Sequence, residues 1–158
     1  MHELLKDFAF ATECHVDWGD MDAFRHVNNA VYFRYFENAR IEYGLKMGLH
    51  NRMAPDGIGP ILAWIECRYL RPIVFPDTAI IGIRTLSFEG SEMLMDYSIV
   101  STAQNKVVTV GKSLSVYYDY NNLRRLDFPR ELIDITEAIE GKPIPRKHSS
   151  KPGSSKQA

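Results

Sequence analysis

The sequence predicts an α+β fold in which an antiparallel sheet wraps one long central helix. Three observations carry this reading. One stretch, residues 29–47, places apolar side chains at spacings of three and four over enough length for a buried helix. Five segments alternate apolar and polar residues, one before that helix and four after it. Short Gly-, Ser- and Asn-bearing breaks separate the later segments, as hairpins require. One helix laid on one sheet is a two-layer arrangement.

The first strand is expected over residues 8–18, with Phe8, Phe10, Val16 and Trp18 on one parity. A polar loop follows. The helix then carries Val31, Tyr32, Tyr35, Phe36, Ala39, Tyr43 and Met47 on one face, widened by Phe33 and Ile41. Asn28 or Asn29 suits its N-cap, and Gly48 suits the left-handed residue after its end. Residues 51–60 hold Pro55, Gly57, Gly59 and Pro60 and are read as loop.

The second strand, residues 61–71, places Ile61, Ala63, Ile65, Cys67 and Tyr69 on one parity, and Pro72 and Pro76 bracket the break after it. The third, residues 78–88, has Ile80, Leu86 and Phe88 on one face and Ala79, Ile81 and Ile83 on the other. Glu89-Gly90-Ser91 is a hairpin turn. The fourth, residues 92–103, presents Met93, Met95, Tyr97 and Ile99 to one side, and a turn at Gln104-Asn105 leads to the fifth, residues 106–119, with Val108, Val110, Leu114, Val116 and Tyr118 together. The last four strands are expected to form a meander. Residues 130–140 fit a short terminal helix or turn.

The chain has 158 residues, which suits one domain with a sizeable core. No apolar run approaches the roughly 18 residues of a membrane span, and the first residues lack the pattern of a secretory signal. Two cysteines, Cys14 and Cys67, make neither a metal spacing nor a disulfide framework, which fits buried thiols in a cytoplasmic protein. The net charge of −1 is asymmetric: residues 1–140 carry 14 basic and 20 acidic side chains, and no acid follows Glu140. Residues 1–140 are therefore taken as the folded domain and 141–158 as a basic tail, expected to be disordered. The acidic body disfavours a nucleic-acid partner.

The chemistry concentrates between Asp17 and Asn29, where Asp17, Asp20, Asp22, His26, Asn28 and Asn29 lead straight into the helix. Trp18, Asp20, Asp22, His26-Val27-Asn28-Asn29, then Tyr32, Tyr35, Glu37 and Arg40, form a string that resembles the hotdog-fold acyl-CoA thioesterases of the 4-hydroxybenzoyl-CoA thioesterase-like group. Arg68-Tyr69-Leu70-Arg71-Pro72, followed by Asp77, is a second point of resemblance. The likeness covers roughly residues 8 to 120. It implies a homodimer or homotetramer with active sites at the subunit interface, a substrate that is a CoA or carrier-protein acyl thioester, and no metal or other cofactor. It places the active-site aspartate on Asp22 and the backbone donor to the thioester carbonyl on Asn29. One departure stands out: Arg25 occupies a position where the group usually has glycine. If that turn requires positive φ, arginine is strained there by about 1 kcal/mol or more.

The physical logic holds without the resemblance. A thioester carbonyl under attack becomes an oxyanion, and a helix N-terminus offers free N–H groups to hold it. A carboxylate folded back over that helix start can attack the carbonyl or draw a proton from water. Asp22, seven residues before Asn29, fits this role, although a lone aspartate there would more commonly serve as a loop or capping acid. Asp20 reads as structural and Asp17 as solvated. His26 is a substrate-orienting or proton-relaying group, or a loop histidine bonded to backbone. Asn28 and Tyr32 sit where substrate would pass. Arg68 and Arg71 carry forks suited to CoA phosphates, or mark a solvated strand edge. No Gly-x-Ser-x-Gly elbow points to a serine hydrolase. Acyl-CoA hydrolysis is the leading expectation; a hotdog hydratase or dehydratase, or a non-catalytic thioester-binding dimer, is the alternative.

Overall fold

A computed structural model describes residues 2–49 and 57–146. The strands are β1 (Phe10–Val16), β2 (Ile58–Tyr69), β3 (Asp77–Glu89), β4 (Glu92–Ser101), β5 (Lys106–Asp119) and a short β6 (Arg124–Arg125). The helices are α1 (Val31–Lys46) and α2 (Arg130–Glu140), with single 3-10 turns at Glu3–Leu5 and Trp18–Asp20. The antiparallel sheet runs β1-β3-β4-β5-β2, with β6 paired to β5. It curls around α1, which is the hotdog arrangement expected. Among the described residues no helix is long and apolar enough to cross a membrane.

The helix forms where its spacing predicts. Tyr32, Tyr35, Phe36, Ala39 and Tyr43 are all buried, and Met47 just past the end is fully so. Ile41, expected to widen the buried face, is 44% exposed. The helix closes as a Schellman motif: Gly48 takes φ +76°, its N–H reaches the Leu45 carbonyl, and the Leu49 N–H reaches Gly44. At the other end Ala30, not an asparagine, is the residue just before the helix. Asn28 still caps the turn one step earlier, its Oδ1 accepting from the Ala30 N–H at 2.9 Å.

The meander holds for β3, β4 and β5 only. β2 pairs with β5 and has no partner on its other edge among the described residues, while β1 takes the place beside β3. The connection from β2 to β3 is not a tight turn. It passes beneath the start of α1, where Ile73 is fully buried and its carbonyl accepts from the Val27 N–H at 2.9 Å. β2 also starts at Ile58, so Ile58, Gly59 and Pro60 belong to the strand, and 51–56 of the expected loop lie outside the described residues.

Three register shifts correct the expected strand faces. In β2 the shift between Leu62 and Trp64 separates Ile61 from the parity of Ile65, Cys67 and Tyr69. In β3 the extra residue Leu86 turns Phe88 onto the core face, with Ala79, Ile81 and Ile83. In β5 the extra residue is Val108, itself buried in the core, and beyond it the face toward α1 is the set of small residues Thr109, Gly111, Ser113 and Ser115, not Val110, Leu114 and Tyr118. The reason is the bulk of α1. Phe36 lies directly on Gly111, where an added Cβ would stand 2.7 Å from the phenyl ring and 2.6 Å from the Glu66 carbonyl. Phe36 also packs on Tyr97 at a 4.5 Å centroid distance, and the Tyr97 hydroxyl pairs with Ser113 Oγ at 2.6 Å.

α2 closes one end of the core with Leu132 and Ile133. Its last residue, Glu140, reaches inward. Glu140 Oε1 accepts from the Tyr43 hydroxyl at 2.5 Å and from the Thr85 N–H at 2.9 Å. Past α2 the chain continues along β3: Ile144 is buried, and the Phe88 N–H donates to the Pro145 carbonyl. Residues 147–158 of the expected tail lie outside the described residues.

Candidate active site

The loop between β1 and α1 is anchored by one buried acid. Asp20 Oδ1 accepts from Arg34 Nη2 at 2.9 Å, and Oδ2 accepts from the Tyr35 hydroxyl at 2.9 Å and from the Asp17 N–H at 3.2 Å. Its carbonyl also accepts from the Asn28 N–H at 2.9 Å. Burial, and the bond to Asp20, push the Tyr35 phenol well above its ordinary pKa, so it stays a donor. Asp20 is thus the structural acid expected.

Beyond this anchor the chain makes a small hairpin. Met21 and Val27 form an antiparallel bridge, the Asp22 N–H donates to the His26 carbonyl, and the Arg25 N–H donates to the Asp22 carbonyl. These are the bonds of a three-residue loop whose third residue is left-handed. That third residue is Arg25, with φ +64°. The condition attached to Arg25 in the sequence is therefore met. The same geometry sets Asp22 and His26 opposite each other: Asp22 Oδ2 lies 3.8 Å from His26 Nδ1, while Asp22 Oδ1 accepts from the Phe24 N–H at 2.8 Å.

His26, Asn29, Tyr32 and Arg71 line one cavity of about 340 Å³, with Val27, Tyr69, Leu70 and Pro72 completing it. Four of the seven expected site residues therefore meet. Asp22 lines an adjoining recess of about 400 Å³ with Trp18, Met21, Arg25 and Val74. The Asp22–His26 pair joins the two. The Asn29 N–H has no hydrogen-bond partner among the described residues, as a donor kept for a ligand would be. Asn28 spends its side chain on the Ala30 N–H. Arg68 stands apart: it pairs opposite Val110, on the sheet face away from α1, whereas Tyr69 turns inward. Strand alternation separates these neighbours.

Tyr69 is the residue sequence reasoning missed as a site group. Its hydroxyl donates to the Asn29 carbonyl at 3.0 Å, and its ring meets Tyr32 edge-on at 5.0 Å. Burial, with Cys67 beside it, raises its pKa to about 12. Burial also raises both thiols, Cys14 and Cys67, which suits packed cysteines rather than nucleophiles. Among the described residues no three His, Cys, Asp or Glu side chains gather as a metal site.

A sheet curled around one helix is the hotdog arrangement, and here a loop carrying Asp22 and His26 leads into that helix. The chain belongs to the thioesterase-like superfamily, whose family model matches residues 16–136. It is 28% identical over 90 residues to the uncharacterized protein YsmA of Bacillus subtilis (strain 168), covering 57% of this chain and 60% of that one. It is 23% identical over 114 residues to the chloroplastic acyl-acyl carrier protein thioesterase ATL3 of Arabidopsis thaliana, covering 72% and 60%. The chain thus spans about three fifths of the length of these two relatives. A thioesterase of Thermus thermophilus, crystallised with coenzyme A and Zn, superposes with a TM-score of 0.78 at 27% identity, over 88% of this chain and 99% of that one.

Proposed function

We propose that the protein hydrolyses an acyl thioester, taking R–CO–S–R′ and water to the free acid and the thiol. CoA thioesters are the favoured substrates, with carrier-protein thioesters as the variant that the plant relative's name suggests. The observation that carries this reading is the Asp22 carboxylate, held in its hairpin 3.8 Å from His26, which shares a cavity with the Asn29 N–H, a donor without a partner among the described residues. The thioester carbonyl takes the Asn29 N–H, and Asp22 either attacks the carbonyl carbon or draws the proton from an attacking water. His26, whose Nδ1 lies 3.3 Å from the Val27 carbonyl and 3.8 Å from Asp22 Oδ2, orients the substrate or relays a proton. Tyr32 and Arg71 contact the substrate in the adjoining cavity, and Asn28 holds the turn that presents Asn29.

The open edge of β2, with Ile61, Leu62 and Trp64 each about two fifths exposed, is the surface on which a second copy would pair. A homodimer brings each site beside the other subunit, and a homotetramer is compatible with it. Arg68, on the outer sheet face, would then meet ligand only from a neighbouring subunit.

The test is release of free thiol from a panel of acyl-CoAs by the wild type and by Asp22→Asn. The expected loss is about 100-fold or more. Equal rates in the two proteins would sink the role of Asp22. The 3.8 Å approach of His26 to Asp22 favours a second reading, hydration of an enoyl thioester by a His–acid pair. Loss of enoyl absorbance without thiol release distinguishes it.

A further inference from the structure

Arg25 holds a backbone conformation that side chains disfavour, at a hairpin position that glycine fills without strain. Its side chain does nothing for the fold: it is exposed and makes no hydrogen bond or ion pair among the described residues. It does line the recess of Asp22, between the apolar walls of Trp18, Met21 and Val74. A neutral group entering this recess needs no cation. An anionic group entering it meets the negative charge of Asp22, and a guanidinium beside that carboxylate offsets the repulsion while offering a two-pronged donor. We infer that Arg25 is a specificity-determining residue that binds a carboxylate or phosphate oxygen of the thioester held over Asp22. The strained conformation is kept because it aims at the ligand the one cation among the described residues of this recess.

The inference rests on Asp22 marking the reacting centre, which the Asp22→Asn comparison tests separately. Its own test uses Arg25→Gly and Arg25→Lys, with thermal unfolding of each. Three thioesters are compared: butyryl-CoA, succinyl-CoA, and butyryl-pantetheine, which lacks every phosphate and carboxylate. Arg25→Gly should unfold at a higher temperature than the wild type, since it relieves the φ strain. If the ligand group is an acyl carboxylate, Arg25→Gly loses tenfold or more in kcat/KM on succinyl-CoA alone. If it is a CoA phosphate, both CoA thioesters lose that factor and butyryl-pantetheine does not. Arg25→Lys should recover part of either loss, as charge returns without the fork. Unchanged kcat/KM on all three thioesters would overturn the inference. So would an equal loss on all three, because a loop-positioning role would not read charge. If the wild type hydrolyses none of them, dissociation constants for the same three ligands give the same comparison.

Discussion

The Tyr69 hydroxyl donates to the Asn29 carbonyl across 3.0 Å and so ties the end of β2 to the residues that open α1. Asn29, proposed to hold the substrate carbonyl through an N–H that has no partner among the described residues, is thereby fixed from its other side. Tyr69→Phe removes this bond and the contact of the hydroxyl with the Cys67 thiol. Tyr69 is 46% exposed, so the expected stability loss is about 1 kcal/mol or less. The expected effect on catalysis is larger, about tenfold in kcat, because small displacements of an oxyanion donor are costly. With a pKa of about 12, the tyrosine stays a donor across the working range, so this effect should not vary between pH 6 and 9. Steady-state rates at several pH values check it; a stability loss with unchanged kcat would contradict it.

Asp20 is the opposite case, an acid whose removal should act through the fold. It is 9% exposed and holds Arg34, the Tyr35 hydroxyl and the Asp17 N–H together. Asp20→Ala leaves the Tyr35 hydroxyl buried without its partner. The expected cost is about 2 kcal/mol, with loss of activity following because the Asp22 hairpin grows from this anchor. Urea unfolding measures the first and thiol release the second. Unchanged stability would mean that the loop is held by other contacts.

Gly111 sets how near α1 comes to the sheet. An alanine methyl there would press on the Phe36 ring and on the Glu66 carbonyl of the neighbouring strand. Gly111→Ala should cost about 2 kcal/mol or more, as overpacking of a close-packed core does. Adding Phe36→Leu should restore only part of the loss. The side chain can yield, but the backbone carbonyl of β2 cannot, and the second substitution opens space of its own. A double-mutant cycle from chemical unfolding gives the coupling; full recovery would place the whole conflict on Phe36.

The helix and its hairpin are legible in the sequence because both are local. Apolar spacing alone marks Tyr32, Tyr35, Phe36 and Tyr43, and Gly48 and Gly90 both take the positive φ their turns need. The strand faces are less legible, because a bulge is a property of two paired strands and is not written in either one. Leu86 reads as part of an unbroken alternation until its pairing with β4 shows it to be the extra residue. Arg68 has the charge and the nearness in sequence to Arg71 that suit a site residue, yet the pleat of β2 sends it to the far face. Tyr69 escapes notice because its partner, Asn29, lies 40 residues away. Arg25 is visible only as an anomaly, and the hairpin bonds around it supply the reason.

Asp77 gives the fold a dependence on pH. It opens β3 and accepts from its neighbour, the Thr78 N–H, and from three groups at the β4–β5 turn: the Ser101 hydroxyl at 2.5 Å, the Thr102 hydroxyl and the Ala103 N–H. Burial alone would raise its pKa, but these four donors outweigh that and hold it below the ordinary 3.8. The folded state therefore binds a proton on Asp77 less readily than the unfolded chain does. Its ionised form contributes stability in full above the unfolded value, and that contribution drains away as pH falls through about 4 toward the lower folded value. Asp77→Asn keeps the shape, loses the charge, and turns one acceptor into a donor facing other donors. The variant should be less stable than the wild type at pH 7, and the gap in urea midpoint should narrow steadily between pH 5 and pH 3. A gap of constant size over that range would show that the neutral carboxyl bonds equally well and that the charge of Asp77 contributes nothing.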